Sequence, residues 1–216
     1  MSINYKIILI GNTGVGKEII IKKLTSDEFP ENNIGSIGVI KKSIYLGINI
    51  NENGIETKKC FDISLFDTAG QEKFRSLTFN YLKPNHGSIL IYDITNRNSF
   101  YNVEGWINDI QKCFSQDESK HVSFLIGNKS ELIKNGEKER QVTEEEAKKL
   151  CDKYHIIWGG EINLKELELN ETLKLMEKFV LDIYKIVGVP EIKKQTVLKA
   201  SYARRRKKQD KKCIIY

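Results

Sequence analysis

The chain has 216 residues, 40% of them hydrophobic and 30% charged, enough apolar material to bury a full-sized core and unlike the composition of a disordered chain. No apolar run approaches the ~20 residues of a bilayer-spanning helix, and the first ten residues have neither a basic n-region nor a small-residue cleavage site, so the chain is expected on the cytosolic side of membranes. Of the net charge of +6, residues 193–216 contribute ten Lys/Arg against one Asp, and removing that +9 leaves −3 for residues 1–192: an acidic body with a basic tail.

In chain order, an apolar β-rich run at residues 5–10 leads into Gly11-Asn12-Thr13-Gly14-Val15-Gly16-Lys17, and a helical pattern follows at residues 17–24. A G-x-x-x-x-G-K segment between strand and helix is a phosphate-binding loop. Its glycines let successive N–H groups converge on phosphate oxygens, the helix N-terminus adds positive potential, and Lys17 reaches the terminal phosphates. Gly14, Val15, Gly16, Lys17, Glu18 and Ile19 are the candidate contacts. Glu18 stands where the pattern has Ser or Thr, whose hydroxyl would bind Mg²⁺. A carboxylate is a legitimate Mg²⁺ ligand, but without the metal its charge about 4 Å from a phosphate costs up to ~4 kcal/mol.

Runs at residues 43–50 and 60–66 flank Asn53-Gly54, the signature of a turn in an antiparallel hairpin. Asp67-Thr68-Ala69-Gly70-Gln71-Glu72 closes the second run. There Asp67 can hold Mg²⁺ through water, the Gly70 N–H can meet a γ-phosphate, and Gln71 can orient an attacking water. A strand at 88–94 and a helix at 99–114 precede a strand at 122–126, which delivers Gly127-Asn128-Lys129-Ser130-Glu131. This is the guanine-reading N-K-x-D with Glu131 for Asp. An acceptor-only carboxylate pairs with the N1–H and exocyclic amine of guanine, which adenine does not offer. Thr143 and Glu146 make a capping box ahead of a helix at 143–154. A weak strand at 155–158 and a helix at 171–187 complete the alternation, after which the pattern fades through Gly188-Val189-Pro190.

Alternating strands and helices imply an α/β fold: a mainly parallel six-stranded sheet with one antiparallel strand pair and helices on both faces. The division is a domain over residues 1–190 and a flexible extension over 191–216. Cys60, Cys113, Cys151 and the three histidines are too scattered for a metal site or disulfide framework. The end, Cys213-Ile214-Ile215-Tyr216, fits C-a-a-X behind Arg204, Arg205, Arg206, Lys207, Lys208, Lys211 and Lys212. One prenyl chain on Cys213 plus a polybasic stretch suffices to hold a protein at an anionic membrane. The basic run lacks interleaved aromatics and a folded basic face, so no nucleic-acid partner is expected.

These motifs, in this order and spacing, resemble the Rab family of small GTPases over about residues 3–187, and the resemblance implies the P-loop NTPase fold. Phe29 stands where the family stacks a ring on guanine, and Ser36-Ile37-Gly38-Val39 is similar to the segment whose hydroxyl binds Mg²⁺ and senses the γ-phosphate. Phe66-Asp67-Thr68-Ala69-Gly70-Gln71-Glu72-Lys73-Phe74-Arg75 and Tyr92-Asp93-Ile94-Thr95-Asn96 match two further family segments. The chain departs at Glu18, at Ile40, in extra length placed at residues 49–59, and at Glu161-Ile162-Asn163-Leu164-Lys165, which replaces E-T-S-A-K. There the Leu164 N–H would meet the guanine O6, with Lys165 beside it, and loss of the Ser hydroxyl is expected to loosen the loop.

The resemblance implies a GTP/GDP switch with Mg²⁺ that acts in vesicle trafficking. It would sit on the cytoplasmic face of an intracellular membrane with a cytosolic pool, and its switch segments would meet effectors, an exchange factor and a GTPase-activating protein. Gln71 and Lys17 would carry slow hydrolysis. No Arg lies between Lys17 and Gln71, so an arginine finger, worth roughly 10³–10⁵ in rate, must come from a partner. The departures leave open an alternative, a nucleotide-binding pseudo-GTPase scaffold impaired in Mg²⁺-dependent hydrolysis.

Overall fold

A computed structural model describes residues 2–24, 40–67, 85–114 and 120–190. Its strands are β1 (Ser2–Ile10), β2 (Ile40–Glu52), β3 (Ile55–Asp67), β4 (Gly87–Asp93), β5 (Val122–Asn128) and β6 (Ile157–Ile162). Its helices are α1 (Lys17–Leu24), α2 (Arg97–Phe114), α3 (Ser130–Lys134), α4 (Glu144–Tyr154) and α5 (Leu169–Val187). The strands form one sheet in the order β2-β3-β1-β4-β5-β6. Every neighbouring pair is parallel except β2 with β3, which is the expected architecture.

Every residue of β4 and β5 is buried, as their near-continuous apolar sequences require of strands covered on both faces. The side-chain period of two divides β1 cleanly. Ile7 and Leu9 join one core with Ile20 of α1 and Met176, Phe179 and Ile183 of α5. Ile8 and Ile10 join the other with Val103, Trp106 and Ile107 of α2 and Ala147 and Cys151 of α4. The Phe124 and Phe179 rings, 4.4 Å apart, lock α5 to the sheet. An aromatic pair at such a distance adds about 0.5–1.5 kcal/mol beyond its buried area.

Element ends differ from the periodicity in informative ways. α1 has the expected limits. α2 starts at Arg97 rather than 99, because the Asn96 Oδ1 accepts the N–H groups of Asn98 (3.0 Å) and Ser99 (3.3 Å) and caps the first turn. The expected capping box is present, with Glu146 N–H donating to Thr143 Oγ1 and Thr143 N–H to Glu146 Oε2. β6 lies at Ile157–Ile162 rather than 155–158, since His155 takes a left-handed conformation (φ 53°) that ends α4. α3 leaves no mark on the apolar pattern, because at five residues it is too short for a periodic signal.

The hairpin is longer than its apolar runs. Its ladder is unbroken from Ile40↔Asp67 to Glu52↔Ile55, and Asn53 (φ 55°) and Gly54 (φ 82°) form the expected two-residue turn, both with positive φ. Residues 49–59 are thus the distal ladder and turn of the expected hairpin. Backbone pairing does not need apolar side chains, so the polar tip hid it. β1 begins at Ser2↔Cys60, and the hairpin runs on past it. Glu52 pairs there with Lys59 at 2.7 Å and accepts the Tyr184 hydroxyl at 2.7 Å, fastening the extension to α5.

The C-terminal ends of the parallel strands collect along one edge through the pairs Leu9↔Asp67, Asp93↔Asn128 and Asn128↔Ile162. This edge is where open α/β sheets bind ligands.

Candidate functional site

Gly11 to Gly16 connects β1 to α1 at this edge. Lys17 is 2% exposed, and its Nζ donates to the carbonyls of Gly11 (2.8 Å) and Asn12 (2.7 Å), so the loop curls around its own ammonium. Two glycines are obligatory for packing. A Cβ on Gly11 would stand 2.2 Å from the Ile91 carbonyl oxygen, and one on Gly16 would stand 2.4 Å from Asn128 Nδ2. Gly14 (φ 75°) turns the loop in open space. Val15 is buried, Ile19 half-buried, and the Glu18 side chain is exposed on the first turn of α1.

Asn128, 2% exposed at the end of β5, ties three segments together. Its Nδ2 donates to the Val15 carbonyl at 2.8 Å and its Oδ1 accepts the Leu164 N–H at 3.0 Å. Lys129 follows in a left-handed conformation (φ 72°, ψ 32°) and places its Nζ 2.8 Å from Asp93 Oδ2. Glu131 sits in the first turn of α3, 8% exposed, with Oε2 buried and without a hydrogen-bond partner. A buried carboxylate oxygen left unsatisfied is costly. Three residues after Asn128 on the same strand-to-helix turn, it fits a ligand bearing N–H donors.

The 161–165 segment is firmer than the loss of a Ser hydroxyl suggested. Leu164 is 1% exposed and belongs to the core beside α1 and α5. The Asn163 carbonyl accepts the Leu167 N–H at 3.0 Å, and its Oδ1 accepts the Glu166 N–H at 3.1 Å. Lys165 is exposed, and its carbonyl receives Lys23 Nζ at 3.0 Å. The Leu164 N–H, assigned to a base oxygen by resemblance, is directed at Asn128 Oδ1, so a base carbonyl there would share that donor.

Asp67, 5% exposed, ends β3 beside the phosphate loop. Among the described residues no group of three or more His, Cys, Asp or Glu gathers as a metal cage. Mg²⁺ is commonly held by one or two carboxylates, waters and substrate phosphates rather than by an all-protein cage, so Asp67 fits as a lone protein carboxylate. Glu18 is exposed on the first turn of α1. Phe29, Ser36, Gly70, Gln71 and Cys213 lie outside the described residues.

Asp93 is the site residue to which sequence reasoning gave no role. It is 4% exposed, and its Oδ1 accepts the Thr95 N–H (2.9 Å) and hydroxyl (2.7 Å). Burial pushes its carboxyl upward, but the hydrogen bonds from Lys129 and Thr95 outweigh that and hold it below the usual range. The signal was available: an acid directly after the apolar run 88–92, at a strand's C-terminal end. His86 and His121 take structural places. His86 Nδ1 accepts the Lys6 N–H at 2.9 Å, and His121 lies between Asn85 O and Ser88 Oγ.

A family model described as Ras family matches residues 6–181. The chain is 36% identical over 152 residues to the GTP-binding protein YPTM2 of Zea mays, covering 70% of this chain and 68% of that one. It is 36% identical over 175 residues to Ras-related protein Rab-19 of Xenopus laevis (81% and 75%) and 33% over 186 residues to Ras-related protein Rab-11C of Dictyostelium discoideum (85% and 74%).

Proposed function

The chain belongs to the Ras family, and from that premise we propose that it is a Rab-like GTP/GDP switch that works on membranes in vesicle traffic. The observation that carries guanine binding is the pairing of Asn128, which binds both Val15 O and Leu164 N–H, with the buried, partnerless Glu131 Oε2 one turn away. An acceptor-only carboxylate in that place suits the N1–H and amine of guanine.

The phosphates fall to the loop Gly11–Lys17, whose buried ammonium and helix N-terminus favour anions. Mg²⁺, when bound, would neutralise developing phosphate charge, with Asp67 and Ser36 as its protein side. Gln71 would hold the attacking water, and hydrolysis would release the Ser36 and Gly70–Gln71 segments from the γ-phosphate. The rate would be slow without an arginine from a GTPase-activating protein. Effectors and an exchange factor would meet the same segments. Residues 191–216 would form a basic tail with a prenylated Cys213, giving a membrane-bound and a cytosolic pool.

A second reading, a pseudo-GTPase scaffold, is favoured by one observation: Glu18 is exposed and no hydroxyl stands at its position. Full-length protein should retain GTP and GDP over ATP, and Glu131→Ala should lower that preference by about 1–3 kcal/mol in competition binding. ATP binding as tight as GTP, or an unchanged preference in Glu131→Ala, would overturn the guanine assignment. Tight GTP binding indifferent to Mg²⁺, with no turnover even when a GTPase-activating protein is supplied, would favour the scaffold. Cys213→Ser should abolish membrane partitioning in cells, and unchanged partitioning would refute the anchor.

A further inference from the structure

The segment Tyr92-Asp93-Ile94-Thr95-Asn96 ends β4 in a buried carboxylate for which the switch chemistry has no use. We propose that Asp93 is a positioning residue for base recognition, acting through Lys129. It fixes the one long, flexible side chain of the Asn128–Glu131 turn and thereby slows loss of the nucleotide. This rests on the guanine-site reading above.

Three observations carry it. The pair is direct, Lys129 Nζ lying 2.8 Å from Asp93 Oδ2 with the acid side chain 5% and the lysine side chain 27% exposed, so salt screens it less than a surface pair. The acid itself cannot swing, because Thr95 donates twice to Oδ1 and Ser99 Oγ accepts the Asp93 N–H at 3.0 Å. Finally, Lys129 is a left-handed residue between β5 and α3. The ion pair at Nζ fixes the end of its side chain in the turn that carries Asn128 and Glu131, the two residues assigned above to the base. A lysine has much rotamer freedom, and one already ordered does not have to lose it on binding.

A purely structural Asp93, one that only caps the turn at Thr95, is the competing account, and a double-mutant cycle separates the two. GDP and IDP dissociation would be measured from the full-length protein for Asp93→Asn, Lys129→Ala and the double variant, with thermal unfolding alongside. The expected result is GDP release faster by about two- to twelve-fold in Asp93→Asn, and no further acceleration when Asp93→Asn is added to Lys129→Ala. The GDP-to-IDP ratio should not change, because Glu131, which reads the exocyclic amine, is untouched. Thr95→Val keeps the charge pair but removes one donor. It should give a smaller effect of the same sign, again absent in the Lys129→Ala background, and it serves as the test if Asp93→Asn does not fold. Additive effects, or a loss of thermal stability without faster release, overturn the inference while leaving the base site intact. If Lys129→Ala itself leaves GDP release unchanged, the inference falls, while a retained preference for GDP over IDP keeps the base-site reading; loss of that preference in the unaltered protein would overturn the reading as well.

Discussion

Replacing Asn128 with Ala tests the central joint of the site. The side chain is 2% exposed and makes two buried bonds, to the Val15 carbonyl and from the Leu164 N–H. Truncation leaves both backbone groups without that partner, and a buried polar group so stranded costs about 1–3 kcal/mol, so the expected loss is about 2–6 kcal/mol. For a domain of this size each kcal/mol moves the midpoint by about 2–4 °C, so the shift should be several degrees at least. Bound nucleotide would mask the change by mass action, and the measurement is therefore thermal and urea unfolding of nucleotide-free protein, read by circular dichroism. Asn128→Asp keeps the acceptor for Leu164 but turns a carboxylate oxygen on the Val15 carbonyl, and should fall within the same range. Gly16→Ala should reproduce part of the loss, since its Cβ would stand 2.4 Å from Asn128 Nδ2. A loss below about 1 kcal/mol in Asn128→Ala would mean that water or neighbouring groups satisfy Val15 and Leu164, and the three-way joint would not be what holds these loops together.

His121 should make the protein acid-sensitive. Burial pushes its pKa down from the ordinary 6.5 to about 4, against the raising effect of Asn85 O. Between those values the unfolded chain binds a proton that the folded one refuses, so stability is full above pH 6.5 and falls as pH drops toward 4, by at most about 3 kcal/mol. His121→Gln should flatten that limb of the urea-stability profile, and an unchanged slope would exclude His121 as its source. Cys151 is buried, and its thiol is pushed up to about 12, chiefly by burial. It should resist alkylation at pH 8 in the native protein and react on unfolding, as peptide mapping by mass spectrometry would show; rapid native labelling would refute its placement between α4 and the sheet.

The order of the six strands and of every helix but α3 is legible in the sequence, because period-2 and period-3.6 apolar patterns are local and strong where both faces of a strand or one face of a helix are buried. The sequence located the phosphate loop, the Asn53-Gly54 turn and the Thr143/Glu146 cap for the same reason: each works through residues a few positions apart. It could not show the length of the hairpin, since Glu52, Asn53 and Glu56 carry no apolar pattern while their backbones still pair. Nor could it show that Leu164 is a core residue, or that its N–H is bound by Asn128, 36 positions away. The Asp93–Lys129 pair likewise exists only because β4 and β5 lie side by side and bring their last residues to one edge. Burial and partnership between distant residues are properties of the packed sheet. Those properties, rather than any motif, decide which polar groups at this site are satisfied within the fold.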